Sequence, residues 1–560
     1  MGLSLRMTDV RRPRRTSPAA SVTAAAVLTT LAVVAVWAAA VLPDEARYLT
    51  PAAFVRVPVE LVAILALGVL LPRRVRGPVA VLCGLLLAVA LIVTVANIGF
   101  MLVFAREVDP VVDWAYVGPG VGVLRDTEGL PVAVAAAVGA AVAALALLVL
   151  LPLAARRLAR VTAEHRRHAT VVVAVLATVW AVGRAADWQV ADDGEVASAR
   201  AVTRLWSDAR QFREDVADRA SFAAAIADDP LAGELDGDAL AALRGKDVLV
   251  VFVESYGKVA LTDPLMAGVR GVLDEGTRTL ERRGFTARSG WLDSPTYGAG
   301  SWLAHATLQS GLWVDTQQRY DQLVEAPRRL TLAEAFGRAG WRTVFALPSV
   351  SREWPEGQRL YGYDELFDKT DTGYDGPKFG WSRVPDQVAL DAFRRAELEP
   401  QDRAPVFAEI ELSSSHHPWT PVPRMVPWDE LDGPEAFRWQ RRGQIDSDTM
   451  LADTVATRIG YGRSIAYSLE SVVSWLESWP DDDLVVVLLG DHQPHTYVTG
   501  GDPDHSVPVS LVARDPAVLD RIDDWGWDPG LRPEPGSPVS RMDTFRDRFL
   551  TAFGPDGDPH

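Results

Sequence analysis

Residues 484–495 read LVVVLLGDHQPH, and residues 247–257 read DVLVVFVESYG. Each is a short, continuous run of apolar and β-branched residues that gives way at once to a carboxylate. Three more such runs occur: 342–347 (RTVFAL), 405–412 (PVFAEIEL) and 507–513 (VPVSLVA). Runs of this length and character suit strands buried on both faces. Helical patterns lie between them, at 329–339 and 455–477. Strands alternating with helices predict an α/β domain with a central mixed, mostly parallel sheet covered by helices on both faces. In such sheets the chemistry gathers beyond the carboxyl ends of the strands.

Polar residues stand at those ends. Glu254 follows the first run. SSSHHPW, with His416 and His417, follows the run at 405–412. Asp491, His492 and His495 follow the run at 484–489. A fourth element, SPTYGAGSWLAHATLQSGL at 294–312, turns on Pro295, Gly298 and Gly300. It then enters a helical pattern at Ser301, with Trp302, Leu303, Ala306 and Leu308 as the expected buried face. Two carboxylates and an imidazole from separate strand ends make a divalent-cation site, which the Ser301 hydroxyl completes. A cation beside a serine oxygen lowers its pKa and makes it a nucleophile. A helix start favours an anion through its unpaired N–H groups. Ser301 therefore sits where a phosphoryl or sulfuryl group would be held and attacked. Oxygen ligands with one nitrogen fit one ion of Mn or Zn better than Mg.

Outward from this domain the composition changes. The chain has 560 residues, too many for one core. Ala, Val and Leu dominate the first third, with apolar stretches at about 21–42, 52–72, 78–104, 130–155 and 169–188. Each approaches or exceeds the roughly 20 residues that cross a bilayer as a helix. Arginines alternate between loops: Arg6, Arg11, Arg12, Arg14 and Arg15 before the first stretch, Arg73, Arg74 and Arg76 after the second, and Arg156, Arg157, Arg160, Arg166 and Arg167 after the fourth. The other loops hold only Arg47, Arg106 and Arg125. By the positive-inside rule the N-terminus is cytoplasmic and the catalytic domain lies outside the plasma membrane. The expected domains are a five-helix membrane bundle at 1–188, a juxtamembrane helical linker at 189–243 and a catalytic domain at 244–560. Trp206 and Phe212 are the expected packing residues of the linker. No stretch carries a mid-membrane cluster of ionisable residues, so anchoring is the simplest role for the bundle. A net charge of −17 argues against nucleic acid as a partner. Cys83 is the single cysteine, so the soluble part has no disulfide and no thiolate metal site.

Taken together, these motifs resemble the alkaline-phosphatase superfamily, and within it the lipoteichoic-acid-synthase-like, sulfatase-domain branch. VVFVESYG is similar to that family's first metal-ligand strand, LLGDHQPH to its closing metal motif and SWLAHATLQSG to its nucleophile helix. YGRSIAYSLESVVSWL, at 461–476, is similar to the helix before the last metal-binding strand. The resemblance implies Glu254, Ser301, Asp491 and His492 as metal ligands. It gives His416, in an element similar to the family's His-x-Pro, a substrate or proton-transfer role. It implies a lipid phosphodiester donor and an envelope glycan or polymer acceptor. Departures remain. The synthases use threonine where Ser301 aligns best, and Thr296 is the alternative. Ser301 is followed by Trp-Leu-Ala-His and not by x-Pro-x-Arg, which argues against a formylglycine sulfatase. Arg352 and Arg359 compete for the family's substrate-binding arginine. His505 sits where two-metal relatives place a further ligand, though a surface loop is the plainer role. A phosphotransferase, a hydrolase using water, and a non-catalytic envelope scaffold or sensor all remain open.

Overall fold

The computed structural model describes residues 18–44, 46–104, 107–110, 112–189, 195–233, 240–326, 329–351, 353–431, 435–500 and 504–554. The chain divides into two compact units near Asp215.

In the first unit, four helices among the described residues are long and apolar enough to cross a membrane: Val22–Val41, Arg73–Met101, Leu130–Glu164 and Arg166–Ala185. The second expected span is shorter than its apolar stretch. Pro51 opens a 3-10 turn and Pro58 precedes the helix, which runs only from Val59 to Leu70. Its 12 residues reach about 18 Å, against a hydrocarbon core of about 30 Å. Small residues let these helices approach closely: Ala32, Val36, Ala39 and Ala40 pack in one cluster with Leu61, Ile64, Ala155 and Leu158. Along Leu130–Glu164 the side chains of Val134, Val138, Val142, Leu145 and Val149 are exposed. An apolar surface of that length fits lipid and not water, so the chain is a membrane protein. The N-terminal arginines and Arg106 lie outside the described residues.

A helix from Arg200 to Ala227 straddles the division. Trp206 and Phe212 do not pack it, being 75% and 50% exposed. Its buried stripe at the start is Ala201 and Arg204, one turn apart; Trp206 lies on the opposite side of the helix, and Phe212, three turns after Ala201 on the same side, stays half exposed.

The second unit is built on a sheet of nine strands among the described residues. In chain order they are β1 (Asp247–Val253), β2 (Thr286–Asp293), β3 (Arg342–Ala346), β4 (Glu365–Phe367), β5 (Val406–Leu412), β6 (Leu484–Gly490), β7 (Ser506–Ala513), β8 (Asp528–Pro529) and β9 (Val539–Arg541). The spatial order is β8-β2-β7-β6-β1-β5-β3-β4, with β9 paired to β2. The stretch β6-β1-β5-β3-β4 is parallel throughout, while β7 is antiparallel to both its neighbours. All five expected strands form. The period of two sends alternate residues to opposite faces. Leu249, Val251, Ile410, Val486 and Leu488 pack against α1 (Ala267–Arg282) and α4 (Thr454–Ser478). Val250, Phe252, Phe407, Val487 and Val509 pack against α2 (Ser301–Ser310) and α3 (Leu332–Arg338). Helices thus cover both faces, as the sequence predicts.

Candidate metal and phosphoryl site

Register assembles the site. Val253 of β1 pairs with Gly490 of β6, so the next residues, Glu254 and Asp491, leave adjacent parallel strands side by side. A side chain at Gly490 would collide with the Tyr256 carbonyl at 1.9 Å, which leaves glycine as the residue that fits. The chain after β1 then turns sharply, with Ser255 in the left-handed region at φ 58°. That turn aims the Ser255 N–H at Asp491 Oδ1 (2.7 Å) and its hydroxyl at Glu254 Oε1 (3.0 Å). Tyr461, from α4, holds the turn by donating to the Ser255 carbonyl at 2.8 Å.

Candidate ligand atoms of Glu254, Asp491 and His492 all lie within 4.8 Å of one another, and all three residues are buried. His492 Nε2 is 3.5 Å from Asp491 Oδ2 and 3.8 Å from Glu254 Oε1. Its Nδ1 is 2.8 Å from the Gln493 carbonyl. A carbonyl only accepts, so Nδ1 carries the proton and Nε2 presents its lone pair to the carboxylates. Asp491 Oδ1 accepts from two N–H groups, of Ser255 and His492. Its Oδ2 is buried without a hydrogen-bond partner. An orphaned carboxylate oxygen facing an imidazole lone pair and a second carboxylate is the donor set of a divalent cation. Without a cation the pair is costly: burial first, and then the Asp491 charge, push Glu254 up to about 8. Burial works against protonation of His492, but the Asp491 and Glu254 carboxylates outweigh it and raise its pKa.

Ser301 joins this cluster. It is the first residue of α2, after Gly300 in the left-handed region at φ +88°. A side chain at position 300 would be strained there and would press on Thr296 Oγ1. Ser301 Oγ is 3.4 Å from His492 Nε2. Thr296, the alternative nucleophile, spends its hydroxyl on the Ala299 carbonyl within the same turn.

The remaining predicted residues divide. His416 ends a loop that Asp386 organises by accepting from the Ser414 N–H and hydroxyl. His416 Nδ1 faces the His417 carbonyl at 2.7 Å, so Nε2 keeps its lone pair. Burial lowers its pKa. Trp381 stacks on it at 4.3 Å, a partner that sequence reasoning missed. Arg359 is exposed and its Nε donates to the Pro355 carbonyl of its own helix. Arg352 lies outside the described residues. His505 donates to the Ser294 carbonyl at 3.0 Å and stacks on Tyr297.

No family model matches the chain, and no curated protein does. Solved structures do. The integral membrane lipooligosaccharide phosphoethanolamine transferase A (EptA) from Neisseria meningitidis matches at 12% identity, over 94% of this chain and 95% of its own, with a TM-score of 0.44. The phosphoglycerol transferase GacH from Streptococcus pyogenes matches at 13% identity, over 61% and 87%, with a TM-score of 0.38. The lipoteichoic acid synthase LtaP from Listeria monocytogenes matches at 16% identity, over 58% and 76%, with a TM-score of 0.35.

Proposed function

We propose that this chain is a membrane-anchored, metal-dependent phosphotransferase acting on a lipid phosphodiester through a covalent phosphoserine. The observation that carries this reading is the Ser301 hydroxyl, at a helix start, 3.4 Å from His492 Nε2 in a cluster that holds an orphaned carboxylate oxygen. Glu254, Asp491, His492 and Ser301 would hold one divalent ion, with Mn or Zn fitting the set better than Mg. Such an ion supplies positive charge that lowers the pKa of a hydroxyl and neutralises charge on phosphoryl oxygens.

The residues then divide the work. Ser301 Oγ bonds to phosphorus, the bond from phosphorus to the lipid alcohol oxygen breaks, and the serine proton leaves with that alcohol. The start of α2 orients the transferred group through its free N–H donors. A hydroxyl of an envelope glycan or polymer attacks the phosphoserine, and its proton returns to Ser301. His416, neutral with Nε2 open, relays that proton and contacts the phosphate. Arg352 and Arg359 are the two candidates for a phosphate clamp. A glycerophosphate-type donor is our reading of the substrate. Our reading puts the N-terminus in the cytoplasm and the catalytic domain outside, which takes residues 51–70, the 3-10 turn and the Val59–Leu70 helix together, as the fifth crossing beside the four long helices. Domain limits of 1–188, 189–243 and 244–560 go with that topology.

Full-length protein is incubated with a phosphatidylglycerol analogue, with and without a glycan acceptor, and digested for mass spectrometry. Phosphoglycerol on the Ser301 peptide, absent in Ser301→Ala, is expected. Turnover unchanged in Ser301→Ala would discard the assignment. Release of free glycerophosphate despite acceptor would make water the acceptor and the protein a hydrolase.

A further inference from the structure

A second polar cluster lies on the same helix as Ser301 and shares no residue with the metal ligands. His305 and Gln309 follow Ser301 at four-residue intervals and so share its stripe of α2. Both meet one carboxylate, Glu409, in the middle of the central strand β5. His305 Nδ1 is 2.6 Å from Oε1, and Gln309 Nε2 is 2.6 Å from Oε2. Their exposures are 5% for His305, 0% for Gln309 and 2% for Glu409. The His305 ring also lies flat on Phe252 of β1, with centroids 4.0 Å apart, two residues before Glu254.

The polarity of this cluster is determined. Gln309 Oε1 accepts from the Ala333 N–H at 3.0 Å, at the second residue of α3. Its amide nitrogen must therefore face Glu409, whose Oε2 accepts from it while Oε1 pairs with His305 Nδ1. Burying an ionised carboxylate in a sheet costs several kcal/mol, and apolar side chains would fill the space at lower cost. Apolar contacts, however, leave a helix free to rotate slightly, whereas two hydrogen bonds of fixed polarity select one rotation. Roughly 5 Å from a helix axis, a turn of about 15° moves an atom by about 1 Å.

Given the reading of Ser301 as nucleophile, we propose that His305, Glu409 and Gln309 form a positioning clamp: it fixes the rotation of α2 and so holds Ser301 Oγ facing His492 Nε2. None of the three touches the reacting atoms.

The test uses full-length E409Q, Q309E and the double variant E409Q/Q309E. E409Q leaves one acceptor for two donors, His305 Nδ1–H and the Gln309 NH2, and sets its own NH2 against one of them. Q309E sets two carboxylates together. In the double variant the new carboxylate accepts from the Ala333 N–H and from the new amide, whose oxygen accepts from His305 Nδ1–H. Complementarity is thus restored with its direction reversed. Each single variant is expected to lower kcat by about 30- to 100-fold with KM within about twofold, and the double to recover to within about fivefold of wild type. The rate constant of phosphoserine formation should follow kcat, whereas a loss of folded protein alone would reduce amplitude and leave that constant unmoved. Single variants that keep the wild-type rate constant, or a double variant that fails to recover it, overturn the clamp. Should the single variants not fold, H305Q and H305L decide. H305Q keeps a donor for Glu409 and is expected to retain more of the rate constant than H305L, and equal values overturn the proposal. Failure of the Ser301 reading itself looks different, as no phosphoserine forms in the wild type.

Discussion

The two faces of the central sheet are built from the same strands but do opposite jobs. On the α1 and α4 side, β1, β5 and β6 present Leu249, Val251, Val253, Ala408, Ile410, Leu412, Val486 and Leu488, all apolar. On the α2 side the same strands present Val250, Phe252, Phe407, Val485, Val487 and Leu489, but also Glu254 at the end of β1 and Glu409 and Glu411 in β5. One face carries stability alone. The other gives up apolar packing for charges, which are tolerated because imidazoles, amides and, when bound, a cation answer them. The contrast separates residues whose loss should unfold the protein from residues whose loss should silence it.

The largest effect expected is on the polar face. Ser301→Ala removes the attacking atom and should lower turnover by about 1,000-fold or more while the melting temperature hardly moves. An equal loss of stability would blur the two roles.

Next comes the response of metal-stripped protein to pH. Glu254 has its folded pKa raised from 4.5 to about 8, by burial and then by Asp491. The folded state therefore binds the extra proton. Its stabilising contribution is complete below about pH 4.5 and is lost as pH rises through about 8. Melting in chelator should fall by several kcal/mol of stability between pH 5 and 9. Glu254→Gln should flatten that fall, and added Mn or Zn should cancel it at pH 8. A chelated protein equally stable across that range contradicts the prediction.

On the apolar face, Leu469→Ala in α4, whose side chain is fully buried, should cost about 2–5 kcal/mol by denaturant titration. The kcat of the folded fraction should stay unchanged. A fall in kcat with stability intact would mean the faces are not separable in this way. The smallest effect is at the rim. Trp381→Ala removes the ring stacked on His416 and should weaken turnover by only about three- to tenfold, equivalent to about 1 kcal/mol.

Much of this division is legible in the sequence, and the limits are physical. The five strands that the sequence predicts are the ones buried on both faces, because burial forces an unbroken apolar run. β2, TARSGWLD, escapes because Arg288, Ser289 and Gly290 interrupt it. It lies outside the strongly apolar β6-β1-β5 centre, where the selection is weaker. Glu254, Asp491, His492 and Ser301 are legible because strand ends and a helix start mark them. His305 and Glu409 are invisible as a pair, because 104 residues separate them and each alone reads as an oddity inside an apolar pattern. Trp381 is missed for a similar reason, since its partner His416 lies on another loop. In the first unit, hydropathy marks Val59–Leu70 as apolar but does not register that Pro51 and Pro58 shorten its helix.

The central claim is that Glu254, Asp491 and His492, with Ser301 at their edge, take one cation. Metal content and Mn or Zn titration of the full-length protein test it directly, in wild type beside Glu254→Gln, Asp491→Asn and His492→Gln. The account predicts one tightly bound ion per wild-type chain and affinity weakened at least about tenfold in each variant. Equal metal content and affinity in all four proteins would contradict it.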